Sequence, residues 1–173
     1  MPPMSIRTLI DRTHVALAPV AEGKLSTHDR VSLLQKTGCP IHDVRSMLRE
    51  VGLRPTRQRM ALGWILFAKG DRHVTAEMLF DEAAKARVPV SLATVYNTLH
   101  QFTEAGLLRE IAVDGSKAYF DTNLSDHHHF IVEGETTVFD IPGSNVAVDR
   151  LPATPDGYEI ARVDVVVRLR RKA

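Results

Sequence analysis

Three consecutive histidines, His127, His128 and His129, are the residues of this chain best suited to chemistry. They open a β-prone run, HHHFIVEG. Side chains alternate along a strand, so His127 and His129 share one face and His128 points to the other. Two imidazoles at that spacing begin a metal site, which then needs carboxylates or another histidine to close it. The second candidate is the single cysteine, Cys39, followed by Pro40. A thiolate is a strong axial ligand for ferric haem, and Pro40 keeps the backbone around the sulfur extended. On that reading His127, His128 and His129 form a second haem site, because neutral imidazole suits ferrous iron. Metal and haem compete for the same three residues. The plain alternative is a set of histidines capping an exposed strand. One cysteine permits neither an intrachain disulfide nor an all-cysteine zinc site.

A second kind of chemistry, recognition of DNA, is written between Val88 and Asp121. Ser91 is a good N-cap, and Leu92, Val95, Leu99 and Phe102 then fall on one side at helical spacing. The other side carries Ala93, Thr94, Asn97, His100 and Gln101, with Tyr96 on the border. A solvated helix face ordinarily carries Lys and Glu. Short polar side chains with no charge suit base edges and thymine methyls in a major groove, which makes Ser91, Thr94, Tyr96 and Asn97 the candidates. For Tyr96 the alternative is a wall of the domain core. Gly106 stops the helix, and Leu108–Val113 and Lys117–Asp121 read as two strands around an Asp114-Gly115 turn. Helix and hairpin together are the second half of a winged helix-turn-helix. Upstream, Arg54, Arg57, Arg59 and Lys69 come with no acid between them, a local basic cluster on a chain of net charge +1. It fits a phosphate-binding surface, against the alternative of a solvated helix face.

Other elements must position these groups. The spacing predicts a helix over His42–Gly52 with Val44, Met47, Leu48 and Val51 on one face. A second begins at Pro55 and Thr56, with Met60, Trp64, Ile65 and Phe67 as core bulk until Gly70. A third is capped by Thr75, turns Leu79, Ala83 and Ala86 inward and ends before Pro89. Beyond Asp121 the pattern is β: HHHFIVEG, TTVFDIP and YEIARVDVVVRLRRK, the last with Ala161, Val163, Val165, Val167 and Leu169 on one face. The chain of 173 residues thus divides into an N-terminal arm (1–40, with a transient helix around Thr27–Gln35), a winged-helix DNA-binding domain (41–122) and a dimerisation and sensing domain (123–173). The last is too small to bury its own core comfortably. A second copy is the simplest cover, and a two-fold dimer would pair two recognition helices on a palindrome. No apolar run approaches the roughly 20 residues that span a bilayer, and the N-terminus lacks a signal pattern. The expected location is therefore the cytoplasm, with no membrane partner.

The runs GLRPTRQRM, HVTAE, SLATVYNTL and KAYFD, followed by the histidine triplet, resemble the ferric uptake regulator (Fur) family in order and spacing, from Val44 to the C-terminus. The resemblance implies an α+β fold: an N-terminal winged helix-turn-helix of four helices plus a β-hairpin wing, then a small α/β dimerisation domain. It implies a metal bound between the two. On matching positions His73 and Asp121 join His127 and His129, with Asp140 as a further ligand, and such N and O donors take Zn, Mn or Fe. Arg54 matches the family's basic residue that reaches into the minor groove, leaving Arg57 and Arg59 as phosphate contacts.

Two departures narrow the resemblance. VEGET (Val132–Thr136) stands where relatives with a structural zinc site carry CxxC, and Cys39-Pro40 precedes the domain. With the triplet, these resemble the iron response regulator (Irr) branch. That branch implies a haem-responsive regulator of iron-uptake and haem-biosynthesis genes, active when iron is scarce and inactivated by haem. It would act as a homodimer on palindromic AT-rich iron-control operators in double-stranded DNA, and a haem-delivering protein would be a further partner. The alternative is a Mn/Fe-responsive repressor of the same family using the His/Asp site, with Cys39 incidental. From another class comes a metal-dependent hydrolase, with His127, His129 and Asp121 around a metal-bound water. It explains the triplet but not the helix, wing and basic cluster, so the expectation is a protein that is not an enzyme.

Overall fold

Hydroxyl side chains fix where three of the helices begin. The Thr56 hydroxyl accepts from the Arg59 amide at 3.3 Å, Thr75 from Met78 at 3.3 Å and Ser91 from Thr94 at 3.1 Å. Each satisfies an amide that the first helical turn leaves without a partner. In this computed structural model, which describes residues 40–114 and 117–172, the helices are α1 (Pro40–Glu50), α2 (Arg57–Phe67), α3 (Ala76–Lys85) and α4 (Leu92–Glu104). Cys39, the arm up to it and the helix expected at Thr27–Gln35 lie outside the described residues, as do Gly115 of the expected turn and the residue after it. Pro40, expected to end the arm in extended backbone, is instead the first residue of α1, a position proline suits because its missing N–H needs no partner there. At the end of α4, Gly106 takes φ +73°. The Leu107 amide folds back onto the Phe102 carbonyl at 2.8 Å, closing the last carbonyls as a left-handed C-cap requires.

The helices bury one continuous core. Val44, Met47 and Leu48 of α1, Leu62 and Leu66 of α2, Leu79 and Ala83 of α3, and Val95, Leu99 and Phe102 of α4 are all fully buried. Gly63 admits α1 closely, since a Cβ there would lie 2.9 Å from the Val44 side chain. Three expected core residues are not in it. Trp64 is 42% exposed and Leu92 36%, because each sits at the margin of its helix's buried face. Ala86 is exposed, because α3 ends at Lys85 and Ala86 serves only as its C-cap.

Two three-stranded sheets follow. β1 (His73–Val74), β2 (Arg109–Asp114) and β3 (Lys117–Asp121) form the first, ordered β1-β3-β2 and antiparallel throughout. β4 (His127–Val132), β5 (Val138–Pro142) and β6 (Val166–Leu169) form the second, ordered β5-β4-β6, with β6 parallel to β4. The strand expected over Tyr158–Lys172 is only Val166–Leu169, and its expected inward face is at best half-buried: Ala161 and Val167 are exposed. Among the described residues β4 is the only strand it pairs with. Between Val146 and Val165 no regular element occurs. The only helical turn after Asp121 among the described residues is the 3-10 turn Gly143–Asn145.

Candidate metal centre

Three cross-strand pairs assemble the site. His73 stands opposite Asp121 on β1 and β3, Arg109 opposite Asp121 on β2 and β3, and His129 opposite Asp140 on β4 and β5. Directly opposed residues bring their Cβ atoms within about 5 Å, so the register places donors together before any side chain chooses a rotamer. The two sheets then meet along the seam between these pairs. One ligand atom from each of His73, His127, His129 and Asp140 lies within 4.8 Å of the others. Asp121, fully buried, approaches from the first sheet: its Oδ2 is 2.9 Å from His127 Nε2 and 3.5 Å from His129 Nε2. Its Oδ1 is 3.7 Å from His73 Nε2, which lies 3.0 Å from Asp140 Oδ1.

The surroundings aim these donors. The Ser125 carbonyl can only accept, so His127 Nδ1, 2.9 Å away, donates to it and Nε2 faces the cluster; a metal-ligating histidine ordinarily has such a partner. Asn123 links the two carboxylates, its amide N–H on Asp121 Oδ1 at 2.8 Å and its side-chain NH2 on Asp140 Oδ2 at 3.0 Å. His128 points away, as strand alternation requires, and its Nδ1 accepts from the Val165 amide at 3.4 Å. All five of His73, Asp121, His127, His129 and Asp140 converge; His128 does not.

The electrostatics are those of a crowded buried cluster. Burial opposes charge on His127, but the close Asp121 carboxylate outweighs it with help from the Ser125 carbonyl, and the ring is lifted to about 9. Burial also raises Asp121, but the close His127 and His129 rings and the hydrogen bond from the Asn123 amide hold its carboxyl below its ordinary value. His73 goes down, chiefly through burial, against the pull of Asp121 and Asp140. Yet His73 Nε2 and Asp121 Oδ2 are buried atoms that meet no partner at hydrogen-bonding geometry among the described residues. Buried polar atoms are rarely left so. Converging imidazole nitrogens and carboxylate oxygens of this kind fit a divalent ion of the Zn, Mn or Fe type.

The expectations missed Arg109. It is 8% exposed, and its Nη2 lies 3.1 Å from His127 Nε2, 3.2 Å from His129 Nε2 and 3.6 Å from Asp121 Oδ2. A two-residue turn at Asp114-Gly115 would set it opposite Phe120. Instead Asp114 pairs with Lys117, a register that would carry Arg109 past Asp121 to Thr122, and the bulge between Ala112 and Asp114 brings it back by one, opposite Asp121. The one legible signal was a basic residue near the foot of a hairpin that also ends in an aspartate.

The histidines are not open to a large planar ligand: His127, His128 and His129 are 3%, 7% and 1% exposed. A haem edge would have to part the two sheets to reach them.

On the helical side, Ser91 and Asn97 are exposed and Thr94 half-buried at the start of α4, and Ser91 and Thr94 hydroxyls lie 2.9 Å apart. Tyr96 is half-buried, packs against the helical core and donates to Glu77 Oε1 at 2.7 Å, so its ring is part of the core wall and its hydroxyl is already engaged. Arg54 and Arg57 are exposed. Arg59 donates from Nε and Nη2 to Gln101 Oε1 at 3.0 and 2.8 Å, and from Nη1 to the Arg54 carbonyl at 2.9 Å. It therefore ties α2 to α4.

Residues 50–167 match the ferric uptake regulator family. A ferric uptake regulation protein of Bordetella parapertussis is 36% identical over 104 residues, 59% of this chain and 74% of that protein. The peroxide operon regulator of Bacillus subtilis is 36% identical over 117 residues, 66% and 79% of the two chains. Among solved structures, the ferric uptake regulator of Pseudomonas aeruginosa with manganese superposes with a TM-score of 0.59 at 28% identity, over 75% of this chain and 98% of that one. The chain belongs to the ferric uptake regulator family, whose members are transcription regulators. The hydrolase alternative falls with that membership. No helix among the described residues is long and apolar enough to cross a membrane.

Proposed function

For this member of the ferric uptake regulator family, we propose a metal-responsive transcription regulator that binds palindromic DNA as a homodimer. The carrying observation is the convergence of His73, His127, His129 and Asp140 from two sheets, with their ligand atoms within 4.8 Å. The first sheet is continuous with α4 through Leu107 and Leu108; the second carries the C-terminal half. An ion there would supply charge that lets two carboxylates and three imidazoles face one another. The chain's own residues would hold it at the seam, fixing how the second sheet sits on the wing. His73, His127, His129, Asp121 and Asp140 are the ligands in this reading, and the relative solved with manganese supports the class of ion.

Ser91, Thr94, Tyr96 and Asn97 would meet base edges, with Arg54 in the minor groove and Arg57 on phosphate. Arg59, already tied to Gln101, would reach phosphate only by its remaining N–H groups. Cytoplasmic location and control of iron-uptake genes follow from the same reading. The haem-responsive, Irr-type variant rests on Cys39-Pro40 and the triplet, and the burial of the triplet weighs against it.

The deciding experiment is DNA-binding anisotropy of the full chain on a palindromic AT-rich operator, titrated separately with Mn(II) and with haemin. Binding that requires Mn(II) and ignores haemin is expected. Release by stoichiometric haemin, with Mn(II) neutral, would replace this reading with the haem-gated one and bring in Cys39.

A further inference from the structure

The donor cluster already has a cation in it. A tetrahedral ion with ligands about 2.0–2.1 Å away has donor atoms about 3.3 Å apart. Arg109 Nη2 stands 3.1, 3.2 and 3.6 Å from His127 Nε2, His129 Nε2 and Asp121 Oδ2. It therefore occupies one vertex of such a donor set while being unable to act as a donor. A guanidinium carries only N–H groups, offers no lone pair and does not lose its proton in a protein. Its other terminal nitrogen, Nη1, is buried with no hydrogen-bond partner among the described residues, so the group is not held there by a full set of acceptors.

The contacts around His127 also conflict. With Nδ1 donating to Ser125, a neutral ring turns the Nε2 lone pair to the Arg109 N–H but also to an Asp121 oxygen at 2.9 Å. A charged ring suits Asp121 but turns an N–H to the Arg109 N–H. Either protonation state leaves one close contact unsatisfied, and only departure of the guanidinium frees both acceptors for another cation.

We propose that Arg109 is a resident cation of the His/Asp cluster, which a divalent ion must expel in order to bind, so that Arg109 sets the metal threshold of the site. This rests on the metal-responsive reading above. Burial of the guanidinium against the ligand atoms makes the metal-free arrangement self-neutralising. An ion then competes with Arg109 as well as with solvent.

The test is a Co(II) titration of the metal-free, full-length protein, followed by the visible absorption bands of the bound ion. Wild type is compared with Arg109→Gln, Arg109→Met and Arg109→Lys, with His129→Ala reporting whether the bands come from this site. Gln and Met variants are expected to bind Co(II) at least tenfold more tightly than wild type, with Lys between them. Equal or weaker affinity in the folded variants, with wild-type binding intact, overturns the role of Arg109 and leaves the metal reading standing. Absence of binding in both wild type and Arg109→Gln overturns both. A measurement on the unaltered protein covers failure of the variants to fold: arginine modification by phenylglyoxal, read by peptide mass. Arg109 should be protected without Co(II) and labelled when the protein is saturated with it. Continued protection at saturation contradicts expulsion.

Discussion

The two halves of this chain are built to different degrees of completeness. The helical half closes its own core, with Val44, Leu62, Leu79, Leu99, Phe102 and Phe120 all fully buried. The C-terminal sheet buries only Ile131 and Ile141 among its large apolar side chains, while Phe139 is 52% and Tyr158 74% exposed, alongside Val148, Leu151, Ile160 and Val167. Apolar exposure on that scale marks an interface. In the proposed reading, a second copy and an ion at the seam would complete the sheet that cannot finish its own core. The helical half needs no such help to present α4. The chain therefore joins a helical half with a finished core to a sheet that is unfinished alone.

The largest expected effect falls on the finished half. Phe102→Ala should cost about 3–5 kcal/mol, the usual loss when a buried aromatic is truncated, and a urea melt followed by helical circular dichroism measures it. A loss below about 1 kcal/mol would mean that the helical core is not tightly packed. Gly63→Ala probes the same core from the opposite direction. Its new methyl would meet Val44 at 2.9 Å, so a loss of about 1–3 kcal/mol from overpacking is expected.

Smaller effects come from the surface of that half. Arg72 and Lys69 both bond Glu82, which holds its carboxyl below the ordinary value of 4.5. A carboxylate with a lowered folded pKa stabilises above its unfolded pKa, and the contribution fades as pH falls through the folded value. Glu82→Gln should then lose about 1 kcal/mol near neutrality, limited by solvent screening. The deficit should close as pH falls through the lowered carboxyl range. A pH-independent deficit would assign the loss to packing instead. Smallest is Phe139→Ser, expected within about 0.5 kcal/mol for a surface position in a single chain. Sedimentation is the sharper readout, because the variant should shift from dimer to monomer if this face covers its own copy. Unchanged mass would move the interface elsewhere.

Much of this contrast was legible in the residues. Period 2 placed His127 and His129 together and sent His128 away, and the caps at Thr56, Thr75 and Ser91 set three helix starts. Where reading failed, the cause was long-range geometry. The run after Tyr158 alternates like a long strand, yet pairing depends on an available edge, and β4 offers one only to Val166–Leu169. Arg109 was invisible as a site residue because its partner is set by the pairing of Asp114 with Lys117 and by the bulge between Ala112 and Asp114, and the expected Asp114-Gly115 turn would have placed it opposite Phe120. Trp64 and Leu92 look like core by type, and only the packing of neighbouring helices shows that they stand at its edge. Asp140 was reached through family resemblance, and its β-ladder position opposite His129 gives the physical reason.

The central claim is that a metal held across the seam governs DNA binding. Its most direct test is operator affinity as a function of free Mn(II), for wild type and for Asp140→Ala. Asp140 is the most exposed of the proposed ligands, at 37%, so its loss should leave the fold and metal-free DNA binding intact. Mn(II) should tighten DNA binding by the wild type and leave Asp140→Ala at its metal-free affinity. Equal tightening in both proteins would contradict the account, because the ion would then act without the sheet-to-sheet site.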